Sequence, residues 1–222
     1  MKNMSMIIAA GAAVSVASTA ALGARVSSTY SSTGVKTATE ADVINPGTAR
    51  VGTVYEFDVS GIESHDGLGS PGNTVIALDL ATALGFAPGT PLTFNGIAWD
   101  VNLTAGLDPG GASWLSELSI YFDDNVAPDG TGLFVSPGAG DDGPGTGDYT
   151  LGATKLADVG IGDIALPDGV LRMEFFEGYD DAPGIDGIWN SGSVWLQVAE
   201  VPAPGAAAVL GLGGLAMSRR RR

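Results

Sequence analysis

Three tight groups of acids have the residue types and spacing to do chemistry. Asp123-Asp124-Asn125 has Asp129 close behind, Asp141-Asp142 is followed by Asp148, and Asp180-Asp181 by Asp186. Calcium takes its ligands from carboxylates, carbonyls and water, so loops of this composition suit it. None has the alternate-position ligands and the Glu at the twelfth place of an EF-hand loop. Each also has a plainer account, because Asp and Gly build solvated turns. Asp123, Asp124, Asp141 and Asp142 are the candidate metal ligands, and Ca2+ is the one candidate cofactor.

Other chemistry has thinner support. Glu174 and Glu177 flank Phe175-Phe176. A glycosidase needs two carboxyls facing each other across a sugar, and residues three apart in a strand point to opposite faces. His65 is the single histidine, in Glu63-Ser64-His65-Asp66-Gly67. One histidine cannot build a His-based zinc site, and three successive residues do not make a catalytic triad. No glycine-rich loop is followed by the Lys that would cradle phosphate. Trp99, Trp114, Trp189 and Trp195 could stack on sugar rings or simply pack. Trp195 alternates with Val194 and Leu196 and so faces outward, while Trp189 reads as a loop residue near the third acid group. These two are the candidate carbohydrate contacts.

The elements that must position these residues read as strands. In 51–60, Tyr55, Phe57 and Val59 face one way, Glu56 and Asp58 the other. Ile97, Trp99, Val101 and Leu103 share a face, as do Trp114, Leu118, Ile120 and Phe122. Residues 74–80, 133–135, 170–176 and 194–198 supply further strands, the first continuing as a strand or into one helical turn at 81–84. A period of two marks half-buried antiparallel strands. Five Asp-Gly pairs, at Asp66, Asp129, Asp142, Asp168 and Asp186, favour tight turns. Residues 138–147 read as a Gly/Asp/Pro-rich disordered insertion. Strands with such punctuation predict an all-β protein, a two-sheet antiparallel sandwich of jelly-roll type.

The chain has 222 residues, no cysteine and a net charge of −15. A body of this size can bury a core without disulfides. Between the terminal segments stand five bases against 25 acids, a net of −20. Such a body repels nucleic acid and anionic headgroups and attracts cations.

The ends carry addresses. Lys2, the apolar stretch 7–21 and small residues around Ala20 and Gly23 form a secretory signal peptide, expected as a helix. The C-terminus runs Val201-Pro202-Ala203-Pro204-Gly205, an apolar stretch 206–217, then Arg219-Arg220-Arg221-Arg222. That stretch, an expected apolar helix, falls short of the ~20 residues of a comfortable membrane span. The arginines would stay cytoplasmic and leave the body outside. This tail resembles the PEP-CTERM sorting signal of Gram-negative bacteria, with Pro202 and Pro204 on the motif prolines and Ala203 where the motif has Glu. The resemblance covers about the last 22 residues. It implies processing by exosortase, a membrane-embedded Cys protease-transpeptidase, in bacteria that make exopolysaccharide.

The expected organisation is a signal peptide at 1–24, a flexible leader or first edge strand in 25–49, a β-sandwich at 50–200 and a sorting tail at 201–222. The expected function is a non-enzymatic structural or interaction role at the cell surface or in an extracellular, biofilm-type matrix. The chain would touch the membrane only through its tail before processing. The alternatives are a module binding exopolysaccharide with or without calcium, and a secreted hydrolase.

Overall fold

The computed structural model describes residues 35–36, 53–107, 113–126, 132–179 and 184–201. The expected signal peptide, Pro202 to Arg222, and Asp129, Asp180 and Asp181 lie outside them. The regular structure among these residues is almost all β, in two antiparallel sheets.

The larger sheet is ordered β1 (Val35–Lys36), β2 (Thr53–Asp58), β11 (Gly187–Glu200), β5 (Leu92–Ala105) and β8 (Gly145–Lys155). β3 (Ile62–Ser64) continues along β11 beyond β2, and β9 (Ile164–Leu166) continues along β5 beyond β8. The smaller sheet is ordered β4 (Thr74–Asp79), β10 (Val170–Glu177), β6 (Leu118–Asp124) and β7 (Leu133–Val135). β4 does continue into a single helical turn, α1 (Leu80–Ala83), whose first turn is capped by Asp79 Oδ1 accepting from Thr82 N–H at 2.9 Å. Asp is well suited there because its carboxylate satisfies an N–H the turn leaves open.

The period of two delivers one apolar face per sheet. Tyr55 and Phe57 of β2, Ile97, Trp99, Val101 and Leu103 of β5, and Leu118, Ile120 and Phe122 of β6 are all buried in a common core. Aromatic pairs stitch the sheets together. Phe94 of β5 meets Phe122 of β6 at 5.5 Å, and Phe175 of β10 meets Trp189 of β11 edge-on at 5.3 Å. Edge-on geometry aims the positive ring edge at the negative ring face, adding roughly 1 kcal/mol to the burial itself.

Several expectations are corrected. Trp114 does not share the β6 face; it stands in the turn before the strand, 41% exposed. Residues 138–147 are not a disordered insertion. They form a turn, with Asp141 N–H bonded to the Gly138 carbonyl, and enter β8 at Gly145. Asp186-Gly187 is not a tight turn either, since Gly187 is the first residue of β11. It is glycine for close approach, as a Cβ there would stand 2.6 Å from Leu118 Cδ1 and Cδ2. Asp168-Gly169 does turn, with Gly169 at φ 73° between β9 and β10.

β11 and β5 exchange two irregularities. The register slips between Trp189 and Ser191, leaving Asn190 as an extra residue, and again between Gln197 and Val198, opposite Asn95 of β5. Asn190 uses its exposed position to donate to Asn102 Oδ1 and Thr104 Oγ1, both at 2.7 Å.

Candidate functional site at one end of the sandwich

The row of inward residues along β10 is Leu171, Met173, Phe175 and then Glu177. Alternation therefore drives a carboxyl into the end of the core. Its neighbours come from four other segments. Glu177 N–H bonds the Asp66 carbonyl at 3.0 Å, and Gly178 N–H the Glu117 carbonyl at 2.8 Å. Asp186 N–H bonds the Ser64 carbonyl, and its own carbonyl accepts from Gly106 N–H at 3.1 Å. These bonds close the segments around 64–66, 106–107, 113–117, 177–179 and 184–187 into one end of the sandwich.

Glu177 and Asp186 are both fully buried there. The Glu177 carboxyl is pushed up to about 9, first by burial, then by the Asp186 carboxyl that faces it, with Glu117 adding repulsion. The Ser113 hydroxyl pulls the other way. Although these side chains stand beside it, neither Glu177 oxygen receives a well-formed hydrogen bond. Exposed apolar residues rim the same end. Trp114 and Tyr179 (66% exposed) stand with Leu107 and Ile185 on the segments just named. The Trp114 backbone N–H donates to Glu117 Oε2 at 2.7 Å, which fixes the turn that carries the exposed indole.

The expected metal ligands are held apart. Asp141 and Asp142 lie by the start of β6, where Ser116 N–H bonds the Asp141 carbonyl and Ser116 Oγ donates to Asp142 Oδ1 at 2.9 Å. Asp123 and Asp124 close the far end of β6, a strand of seven residues, roughly 20 Å away at 3.3 Å per residue. Each carboxylate already has a local task. Tyr149 O–H donates to Asp141 Oδ2 at 2.9 Å, and burial followed by this bond raises the phenol well above its usual range. Tyr121 O–H donates to the buried Asp123 at 3.1 Å, and Asp124 Oδ1 caps Val126 N–H. The four do not form one site. Among the described residues no group of three or more His, Cys, Asp or Glu side chains is placed to hold a metal ion.

Trp189 is corrected from loop to core. It is fully buried in β11, with Nε1 donating to Ser64 Oγ at 3.3 Å. Swinging it out to meet a sugar would expose about 200 Å2 and cost about 5 kcal/mol, more than stacking returns. Trp195 does face outward, half-buried between its register partners Glu56 and Ala98. Val201, first residue of the expected sorting motif, is exposed and donates its N–H to the Pro91 carbonyl at 3.1 Å.

Glu174 and Glu177 do point to opposite faces. Glu174 is buried on the outer face of the small sheet and saturated: Oε1 accepts from Gly69 N–H (2.6 Å) and Asn73 Nδ2 (2.9 Å), Oε2 from Arg172 Nη2 (2.6 Å). It pins the 65–73 loop over that face, and both of its oxygens accept bonds from within the chain. Sequence reasoning missed the Glu177–Asp186 pair. Its one signal was a Glu continuing the inward parity of Leu171, Met173 and Phe175.

No family model matches the chain, and no curated protein matches it. Among solved structures, the Tobacco streak virus coat protein dimer aligns at 14% identity over 72% of this chain and 92% of that one, with a TM-score of 0.27. A second crystal form of that coat protein aligns at 13% identity over 72% and 93%, with the same TM-score. At this TM-score the likeness carries no argument about the present chain.

Proposed function

We propose that the chain is an exported, non-enzymatic protein of the cell surface or extracellular matrix, a jelly-roll body delivered by a signal peptide and sorted by a PEP-CTERM-like tail. The observation that carries the sorting reading is where β11 ends. β11 runs to Glu200, Val201 is exposed, and the motif prolines begin at the next residue. A processing enzyme of the exosortase kind would find the motif beginning at the exposed Val201, directly after the last strand among the described residues. The jelly-roll reading rests on the eight main strands falling into the orders β2-β11-β5-β8 and β4-β10-β6-β7, with successive strands mostly crossing between sheets. The non-enzymatic reading is supported by the saturation of Glu174 and the full burial of Glu177 and Asp186. Deleting 202–222 is expected to shift the protein from the cell fraction to the medium. Unchanged cell association would sink the sorting role.

A second reading, carbohydrate binding, is favoured by the exposed Trp114 and Tyr179 on either side of Glu117. Aromatic faces stack on sugar rings, and a carboxylate bonds their hydroxyls. The acidic body turns that preference toward neutral or cationic polysaccharide. Full-length protein on a polysaccharide array is expected to bind such a polymer, with Trp114→Ala weakening binding roughly tenfold, the equivalent of one lost stacking contact. Binding to no polymer, or binding untouched by Trp114→Ala, counts against it.

A further inference from the structure

We propose that Glu177 and Asp186 are the protein ligands of a divalent-cation site, with Ca2+ as the ion, at the loop end of the sandwich. Two carboxyls are packed against each other in the core, and both charged neighbours acting on Glu177, Asp186 and Glu117, are acids. Burying an uncompensated carboxylate costs several kcal/mol, so something must take up the charge. A proton shared with Asp186 would satisfy one Glu177 oxygen. Both Oε1 and Oε2 are buried and without a well-formed hydrogen bond. A cation held by both oxygens satisfies them together, as a bidentate carboxylate does in calcium sites.

The donor set fits the ion. It is all oxygen, hard and anionic: the Glu177 carboxylate, the Asp186 carboxylate and the Ser113 hydroxyl. Ca2+ accepts about six to eight oxygens and draws freely on carbonyls and water, so two carboxylates suffice when neutral oxygens complete the shell. Histidine and cysteine have no part in it, which disfavours zinc and copper. The body's surplus of acids raises the local concentration of cations at its surface. Position gives the ion a task. Glu177 closes β10 and Asp186 immediately precedes β11, so one ion would clamp the end of the small sheet to the start of the large one.

The test is thermal melting of the EDTA-stripped, full-length protein at neutral pH, titrated with CaCl2. Saturating Ca2+ is expected to raise the melting temperature by roughly 5 °C or more, as a ligand at a hundredfold excess over its Kd does for a domain of this size. Glu177→Gln, which matches the protonated side chain in shape, is expected to abolish the rise, as is Asp186→Asn should the first variant fail to fold. Asp142→Asn, at the separate acidic turn, is expected to keep it. Tb3+ luminescence excited through tryptophan gives a second readout: a Ca2+-displaceable signal in the wild type, absent in the two site variants. No Ca2+-dependent shift in the wild type overturns the proposal and leaves the pair sharing a proton. A shift that survives Glu177→Gln also overturns it, by putting the ion elsewhere.

Discussion

Glu177 occupies the place where β10's inward parity calls for another apolar side chain. In ion-free solution its carboxyl stays protonated to about 9, whereas in the unfolded chain it ionises near 4.5. Between those values the folded state binds more protons than the unfolded state. The group's contribution is therefore complete below about pH 4.5 and is lost as pH rises toward 9, at up to ~1.4 kcal/mol per pH unit. In EDTA, the urea midpoint is expected to fall from pH 5 to pH 9, and Glu177→Gln is expected to flatten that slope. Identical slopes for both proteins would show that the carboxyl titrates normally. Ca2+ is expected to flatten the wild-type slope as well, since the bound ion replaces the proton.

At the scale of elements, the long strands β5 and β11 fit together only by giving way at defined points. Gly192 follows the slip at Asn190 and adopts φ 113°, with its α-carbon pressed against the β5 backbone. A Cβ there would collide with the Asp100 carbonyl and stand 2.7 Å from Val101 Cα. Because both obstacles are backbone, the strand cannot yield cheaply. Gly192→Ala is expected to destabilise the fold by roughly 3 kcal/mol, from strain and clash together, seen as a melting temperature lowered by roughly 5–10 °C. A change under 1 °C would mean the bulge can open to solvent. The same slip explains why Trp189 was unreadable. It and Val194 both point inward although they stand an odd number of residues apart, because Asn190 resets the parity. β8 was hidden differently. As an edge strand it buries only Tyr149, and its remaining residues are mostly Gly, Thr, Ala and Asp, so it has no apolar alternation to find. β2 and β10 were legible because each presents an unbroken alternating row to the core, and β5 because its row runs unbroken from Ile97 to Leu103 beyond the slip at Asn95.

For the whole molecule, composition and turn chemistry carried as far as two antiparallel sheets and stopped at the site. Acids near one another in sequence turned out to cap turns or bond neighbouring hydroxyls, as Asp124 and Asp142 do. The pair that does meet is nine residues apart, delivered from opposite sheets, and only the closure of the sandwich brings it together. No local spacing encodes that. The proposed terminal signals, by contrast, are linear patterns that are read without a fold.

The central position of β11 has a mechanical corollary. The proposed sorting tail follows in sequence on this strand, which has 14 residues and is flanked by β5 along one edge and by β2 and β3 along the other. A pull applied through Val201 acts along the strand, so its hydrogen bonds are loaded together in shear instead of being peeled one at a time. Had the tail left from an edge strand such as β8, drag on a tethered body would unzip the sheet from its rim. A tether joined to the middle of the large sheet at Val201 would load both rows of hydrogen bonds at once.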